Sequence, residues 1–296
     1  MANAFEPPVD RIKSQHDGTK HLAVSDTFYR RLTILLSLKT ARWFSKYKFT
    51  GRLQPISKRL IVKTGWTVHL TEAATMQFVA KNTSIPVPRV YCSFVFRNRA
   101  YIVMDRIEGV ALGNVWAKLS EADRESILAQ LRRMLQELRA IQPPPGTGVE
   151  SCVGGSLCDP RMSRSCPRFG PFKTIEDFHS WLRGGLKPED MPDDLTDREE
   201  QDWKVFKEMA VRQDRPWPAP VFTHADLNPF NILVRGSQVV GIIDWETAGW
   251  YPSYWDYTSA CYLLIPAWQD VVPKFLDPFP EELKMETTRQ GWWGEI

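Results

Sequence analysis

Apolar residues recur along this chain with two periods. Between residues 71 and 81 they fall at Ala73, Met76, Val79 and Ala80, a spacing that places them on one helical face. A stronger run, Ile127, Leu128, Leu131, Met134, Leu135, Leu138 and Ile141, predicts a core helix. Ser120, with Asp123 three residues on, supplies its N-cap, and Pro143-Pro144-Pro145 ends it. Thr174 opens another capped helix over residues 174–182, and Thr196 with Glu199 forms a capping box for a further one. Strands are predicted at residues 59–63 and in two hairpins. The first joins residues 93–96 to 101–104 across Arg97-Asn98-Arg99. The second joins residues 231–235 to 238–244 through Gly236-Ser237. Between them, Pro86 and Pro88 keep residues 85–90 extended. Residues 146–173 carry no periodicity and read as a long loop. After Thr258, helical stretches are broken at Pro266, Pro273, Pro278 and Pro280, with Trp292-Trp293 packed on the body.

The second hairpin carries the most chemistry. His224-Ala225-Asp226-Leu227-Asn228-Pro229-Phe230-Asn231-Ile232-Leu233 leads into it, and Ile242-Ile243-Asp244-Trp245-Glu246 leaves it. With Arg235 opposite Gln238, Asn231 is expected opposite Ile242. Asn231 and Asp244 are then diagonal neighbours about 7–8 Å apart at the backbone. Their side chains can converge on one magnesium ion, which takes hard oxygen ligands. Asp226, in the entering loop, can meet a substrate hydroxyl beside it. Two carboxylates and an amide so spaced suit holding magnesium and a hydroxyl against the phosphates of ATP. Asp and Asn are common near turns, so the first segment alone could arise by chance. The Asp244 strand end at the matching distance argues against that.

These two segments resemble the signature of aminoglycoside phosphotransferase-like proteins, relatives of choline kinases with a protein-kinase-like fold. Residues 170–172, G-P-F before a capped helix, are similar to fungal-type members. The resemblance implies an α+β, bilobal architecture: a small antiparallel-sheet lobe and a mainly helical lobe. It implies that Asp226 is the catalytic base and that Asn231 and Asp244 hold magnesium. Asp244 takes the place of the Asp in the kinase D-F-G motif, and Trp245 that of its Phe. His224 takes the place of the His in H-R-D, a structural role, and Glu246 lies beside the site. Such a fold needs a lysine on a buried strand and an acid on the next helix. Lys63 and Glu72 are the candidates; the alternative is a solvated surface pair. Tyr101-Ile102-Val103-Met104-Asp105-Arg106-Ile107-Glu108-Gly109 resembles the family's hinge, over residues 104–109. Backbone groups of Asp105 and Ile107 would bind adenine there. The resemblance spans about residues 51–260. It divides the chain into a basic helical extension (1–50), an ATP-binding lobe (51–108) and a helical lobe (109–296) holding the catalytic hairpin (224–246). One departure is clear: no G-x-G-x-x-G precedes Lys63. The phosphate-covering loop is therefore expected over residues 53–58, using main-chain amides and Ser57.

Composition narrows the reading. A chain of 296 residues can bury a large core and hold two lobes. A net charge of +3 does not suggest nucleic acid. The charge is uneven, since Lys20 to Lys48 contains seven Lys or Arg against Asp26 alone. With Leu32, Ile34, Leu35, Leu36 and Leu38 this predicts an amphipathic helix packed on the small lobe. A membrane-surface or nucleic-acid role is the alternative. The acidic stretch from Glu189 to Asp202 reads as linker and helix start; attraction of a cationic substrate is its alternative. Tyr251, Tyr254, Trp255 and Tyr257 read mostly as core, with an acceptor pocket as the other use. The apolar run near residues 260–268 is too short to span a bilayer, and residues 1–10 lack a signal-peptide core. Five cysteines suggest free thiols in a reducing, cytoplasmic setting. Cys152, Cys158 and Cys166 lack the paired spacing of a zinc site. The segment from Asp244 to Asp256 is short and contains no A-P-E, and Ala225 stands where H-R-D has Arg. Both favour a small-molecule acceptor. The expected function is ATP- and magnesium-dependent phosphoryl transfer to a small-molecule hydroxyl. The alternatives are a catalytically silent kinase-like protein that binds nucleotide or a partner, and a protein kinase. Acceptor identity and oligomeric state are left open by the sequence.

Overall fold

The computed structural model describes residues 15–44, 51–162, 168–262 and 267–294. The readings on residues 1–10, Cys166 and Pro266 lie outside that set. Helix α1 (Phe28–Phe44) precedes a four-stranded antiparallel sheet built from β1 (Leu53–Pro55), β2 (Leu60–Gly65), β3 (Val90–Phe96) and β4 (Arg99–Asp105). The strand order is β1-β2-β4-β3, and helix α2 (Thr71–Asn82) sits between β2 and β3 in sequence. Alternation along the strands gives the sheet two apolar faces. Val62, Phe94, Tyr101 and Val103 face α1, where Leu38 is buried and Ile34 and Leu35 pack partly. Ala100, Ile102 and Met104 face α2 through Ala73, Met76 and Val79. Lys63, next to Val62, therefore lies on the α2 side.

Three local readings are corrected. The β3–β4 turn has two residues, because Arg97 and Asn98 both adopt positive φ (51° and 55°), which suits a tight hairpin, and Arg99 joins the strand. In α2, Ala80 is exposed while Glu72 and Thr75 are buried. The helix thus presents polar groups as well as its apolar stripe. In α1, Leu32 and Leu36 point outward with Phe28 and Tyr29, so only one side of that helix is covered by the sheet among the described residues.

The chain then passes through residues 106–109 into β5 (Val110–Ala111), a short α3 (Leu112–Val115) and the long α4 (Glu121–Ala140). Ser120 caps α4 by accepting the Asp123 amide at 3.1 Å. Further on come α5 (Ile175–Leu182), α6 (Asp197–Gln213), β6 (Val221–Thr223), β7 (Ile232–Arg235), β8 (Gln238–Ile242), β9 (Gly249–Tyr251), α7 (Trp255–Tyr262) and α8 (Pro280–Trp293). Strand β5 joins the β7–β8 hairpin, and β6 pairs with β9. Pro280 begins α8 instead of breaking a helix; its missing amide is harmless in a first turn.

Capping boxes form at Thr174–Asp177 and at Thr196–Glu199. Glu199 and Asp190 accept the Thr196 and Lys187 amides at 2.8 and 2.7 Å, so part of the acidic stretch serves to start helices. The loop over 146–173 is tied down by bridges Val149–Phe172 and Leu157–Phe169. Its apolar residues pack with Phe178, Trp203 and Trp255 in a second core. Tyr251, Tyr254, Trp255 and Tyr257 are all buried. Trp292 and Trp293 pack on Phe206, ring centroids 5.2 and 6.0 Å away. No described helix is long and apolar enough to cross a membrane.

Candidate active site

The loop between β6 and β7 is built around a buried histidine. His224 accepts the Asp226 amide on Nδ1 (3.2 Å) and donates from Nε2 to the Ile243 carbonyl (3.0 Å). Burial holds its pKa down at about 4, so the ring is neutral and keeps that tautomer. It rests on Trp245 (4.5 Å between centroids), whose indole nitrogen donates to the Ile242 carbonyl. Ala225 takes a left-handed conformation, φ 65°. The Asp256 carboxylate, 1% exposed, accepts its amide at 2.8 Å. An L-residue with a Cβ resists this conformation, so the buried acceptor compensates for the strain. Asp256 had no assigned role from sequence. Its signal was a lone Asp within an aromatic run, which spacing alone does not link to Ala225.

Asp226 is held at both oxygens. Asn228 donates to Oδ1 (3.0 Å), and Asn231 donates to Oδ2 (2.8 Å) and to the Asp226 carbonyl (2.9 Å). Burial pushes the Asp226 carboxyl up to about 6 despite these donors. That makes it a stronger proton acceptor than an ordinary Asp. Because the Asn231 amide nitrogen is committed to Asp226, its Oδ1 is the atom left for a cation. The register differs from expectation: Arg235 pairs with Gln238, but a bulge between Leu233 and Val234 brings Ile232 opposite Ile242. The Asn231 carbonyl accepts the Ile243 amide at 2.9 Å, which sets Asn231 opposite Ile243 and beside Asp244. Two residues opposing one on a partner strand shift the pairing by one.

On the sheet side, Lys63 reaches Glu72 at 2.9 Å, Asp244 at 2.5 Å and Glu246 at 3.0 Å. Its side chain is 6% exposed and that of Glu72 is 1% exposed. The surface-pair alternative is therefore wrong for these two. Burial alone would favour a neutral amine, but the three carboxylates outweigh it and raise the Lys63 pKa. Burial raises the Glu72 carboxyl, against the pull of Lys63. Asp244 is held below the ordinary carboxylate range by Lys63, although burial opposes this. Asp244 also has positive φ (65°) and leaves 34% of its side chain open to the cleft.

These groups end a cleft of about 160 Å³ between the sheet and the β7–β8 hairpin. Leu53, Ile61, Met76 and Met104 line it from one side, Leu233 and Ile243 from the other, and Asp105 to Ile107 close the hinge end. Leu233 and Ile243 were passed over in the sequence, although Leu233 lies two residues after Asn231 and Ile243 directly before Asp244. A Cβ at Gly241 would lie 2.6 Å from Ile107 Cδ1, so the absent side chain is what seats Ile107. The Asp105 amide donates to the Arg89 carbonyl (3.0 Å), so only its carbonyl could serve an adenine.

The expected phosphate-covering loop is misplaced. The amides of Ile56 and Ser57 both donate to the Leu60 carbonyl, and the Ser57 hydroxyl accepts the Arg59 and Leu60 amides. This turn sits at the hinge end of the sheet, where Leu60 pairs with Asp105. The stretch beside Lys63 is instead the entry to β1: Leu53 pairs with Lys63, and the Arg52 carbonyl accepts the Thr64 amide. Arg52 reaches Glu246 at 3.0 Å, a contact sequence reasoning did not find.

The site thus joins two clusters, one of Lys63, Glu72, Asp244 and Glu246, the other of His224, Asp226 and Asn231, linked through Ile243. The donor set fits magnesium: the Asn231 side-chain Oδ1 and the Asp244 carboxylate are hard oxygens, on residues that the Asn231–Ile243 pairing brings to adjoining positions. Several solved structures share the fold. Aminoglycoside phosphotransferase APH(4)-Ia is 15% identical, over 87% of this chain and 89% of its own, with TM-score 0.58. A thermostable mutant of that enzyme, in ternary complex with AMP-PNP and hygromycin B, is 14% identical over 86% and 88%, TM-score 0.56. ADP-bound APH(2'')-Ib is 17% identical over 90% and 86%, TM-score 0.51. At such identity the likeness is one of fold, the protein-kinase-like fold of these enzymes. A sequence search among curated proteins finds no match. A family model described as "Phosphotransferase enzyme family" matches residues 69–287, from the turn before α2 into α8, and the chain belongs to that family.

Proposed function

We propose that this protein transfers the γ-phosphoryl group of ATP to a hydroxyl of a small molecule, with magnesium. The carrying observation is the meeting of two clusters at one end of an apolar cleft: Lys63 with Glu72 and Asp244, and the Asp226 loop tied by His224 to the strand leading to Asp244. In this reading residues 51–108 hold the nucleotide, residues 109–296 supply the hydroxyl side, and residues 1–50 are an extension whose helix α1 packs on the sheet through Ile34, Leu35 and Leu38. The adenine lies in the apolar part of the cleft against Asp105 and Ile107. Lys63, oriented by Glu72, grips the phosphates. Asp226, fixed by Asn228 and Asn231, orients the hydroxyl and takes its proton. Magnesium, when bound to Asn231 and Asp244, neutralises charge on the phosphates. Positioning and electrostatics supply most of the rate in such chemistry. The absence of an A-P-E segment after Asp244 supports a small acceptor over a protein. The described cysteines are free thiols, which suits a reducing compartment such as the cytoplasm.

The test is Asp226→Ala, with ATP binding measured by calorimetry and transfer measured against a panel of hydroxylated metabolites. The variant should bind magnesium-ATP like the wild type and transfer about 10²–10⁴-fold more slowly. Equal turnover would overturn the assignment of Asp226. A wild-type protein that binds no ATP would overturn the reading as a whole.

A further inference from the structure

Three carboxylates, Glu72, Asp244 and Glu246, lie within 4.8 Å of one another at the end of the cleft. Lys63 alone does not balance them. A second cation stands at their edge. Arg52 Nη1 lies 3.0 Å from Glu246 Oε2 and 3.3 Å from Oε1. The same Glu246 Oε2 is 3.0 Å from Lys63, so one carboxylate oxygen is shared by both cations. The two differ in freedom. Lys63 is 6% exposed and held by three acids. The Arg52 side chain is 45% exposed, and its other polar side-chain contact among the described residues is a long one to Thr67, 3.4 Å. Glu246, 20% exposed, keeps Lys63 as a partner when Arg52 leaves, so the half-exposed guanidinium can depart without stranding the carboxylate. The Arg52 backbone cannot drift, because its carbonyl accepts the Thr64 amide at 2.8 Å beside the Leu53–Lys63 pair.

This position has a further meaning. A chain that folds over a polyphosphate without a glycine triplet needs another source of donors. The β1–β2 turn is not one, since its amides and Ser57 are engaged at the hinge end. The guanidinium is planar, permanently charged and forked, which matches phosphate oxygens better than a lysine does. We propose that Arg52 is a polyphosphate ligand of the nucleotide site, able to exchange its contact with Glu246 for phosphate oxygens of a bound nucleotide. This rests on the nucleotide-binding reading above and adds to it a residue and an exchange of partners.

The experiment is calorimetric binding of ATP, ADP and adenosine, in magnesium, to wild type, Arg52→Ala and Arg52→Lys. Thermal unfolding without nucleotide checks that each variant is folded. Arg52→Ala should lose about 10- to 100-fold in affinity for ATP and ADP while adenosine binding stays within about twofold. Arg52→Lys, which keeps the charge without the fork, should recover part of the loss and serves as the folded control. Unchanged ATP affinity in Arg52→Ala would overturn the proposal. So would an equal loss for adenosine, because that reports damage to the cleft and not to phosphate contacts. If wild type binds adenosine and ATP with the same affinity, no phosphate ligand exists and the proposal falls. If wild type binds none of the three, the nucleotide reading itself fails, an outcome distinct from failure of Arg52 alone.

Discussion

Replacing Asp256 with Asn should change the pH dependence of stability by a calculable amount. Asp256 is 1% exposed and accepts the Ala225 amide at 2.8 Å. Burial pushes its carboxyl from the ordinary 3.8 up to about 6. Between those pH values the folded protein keeps a proton that the unfolded chain has released. Stability therefore falls as pH rises through this window, and the full cost is present above about pH 6. The gap is worth about 3 kcal/mol. Asn carries no charge at any pH and still offers an oxygen to Ala225. Relative to wild type, Asp256→Asn should thus gain about 3 kcal/mol between pH 3.5 and 7.5. For a chain of 296 residues this is a relative rise in Tm of about 5 °C. His224 and His179, both held near 4 by burial, titrate in the opposite sense but are common to the two proteins and cancel in the difference. Any constant cost of fitting the amide also cancels. The assay is thermal unfolding of both proteins, without nucleotide, at half-unit steps of pH. A Tm difference that stays flat across the range would refute the view that a desolvated carboxylate holds the Ala225 turn. Asp256→Ala provides the companion measurement: it leaves the buried Ala225 amide without its acceptor and should cost about 1–3 kcal/mol near pH 3.5, a cost offset above pH 6 by the same relief of about 3 kcal/mol that Asn brings.

Two further variants probe the frame around the site. Gly148→Ala would place a Cβ 1.9 Å from the Phe172 carbonyl oxygen and 2.6 Å from that of Lys173. It should prise open the Val149–Phe172 bridge and lower stability by about 3 kcal/mol in chemical denaturation; a loss below about 0.5 kcal/mol would contradict that packing. Ser120→Ala removes the oxygen that accepts the Asp123 amide. It should cost about 1 kcal/mol, with ATP affinity unchanged because α4 lies outside the cleft lining.

Much of this protein follows from its sequence alone. Helices α2 and α4, the caps at Ser120, Thr174 and Thr196, both hairpins and the Gly236-Ser237 turn are local matters, set by side-chain period and turn chemistry over a few residues. The candidate residues Lys63, Glu72, Asp226, Asn231 and Asp244 were legible because their spacing is itself the pattern. Tertiary structure decided what depends on distant partners. Ala225 meets Asp256 31 residues away, and Arg52 meets Glu246 194 residues away; no local period records either contact. The bulge at Leu233 moved Asn231 by one pairing position, a change invisible to alternation because both strands remain apolar on either side of it. The turn expected to cover the phosphates lies at the hinge because strand register, not composition, sets which end of the sheet a turn occupies. The described residues of the 146–173 loop, without period of their own, are anchored by Val149, Leu157, Phe169 and Phe172 in the aromatic core they pack into. Short-range preferences made the elements and named the chemistry. Long-range packing and register chose which charged and polar groups would meet.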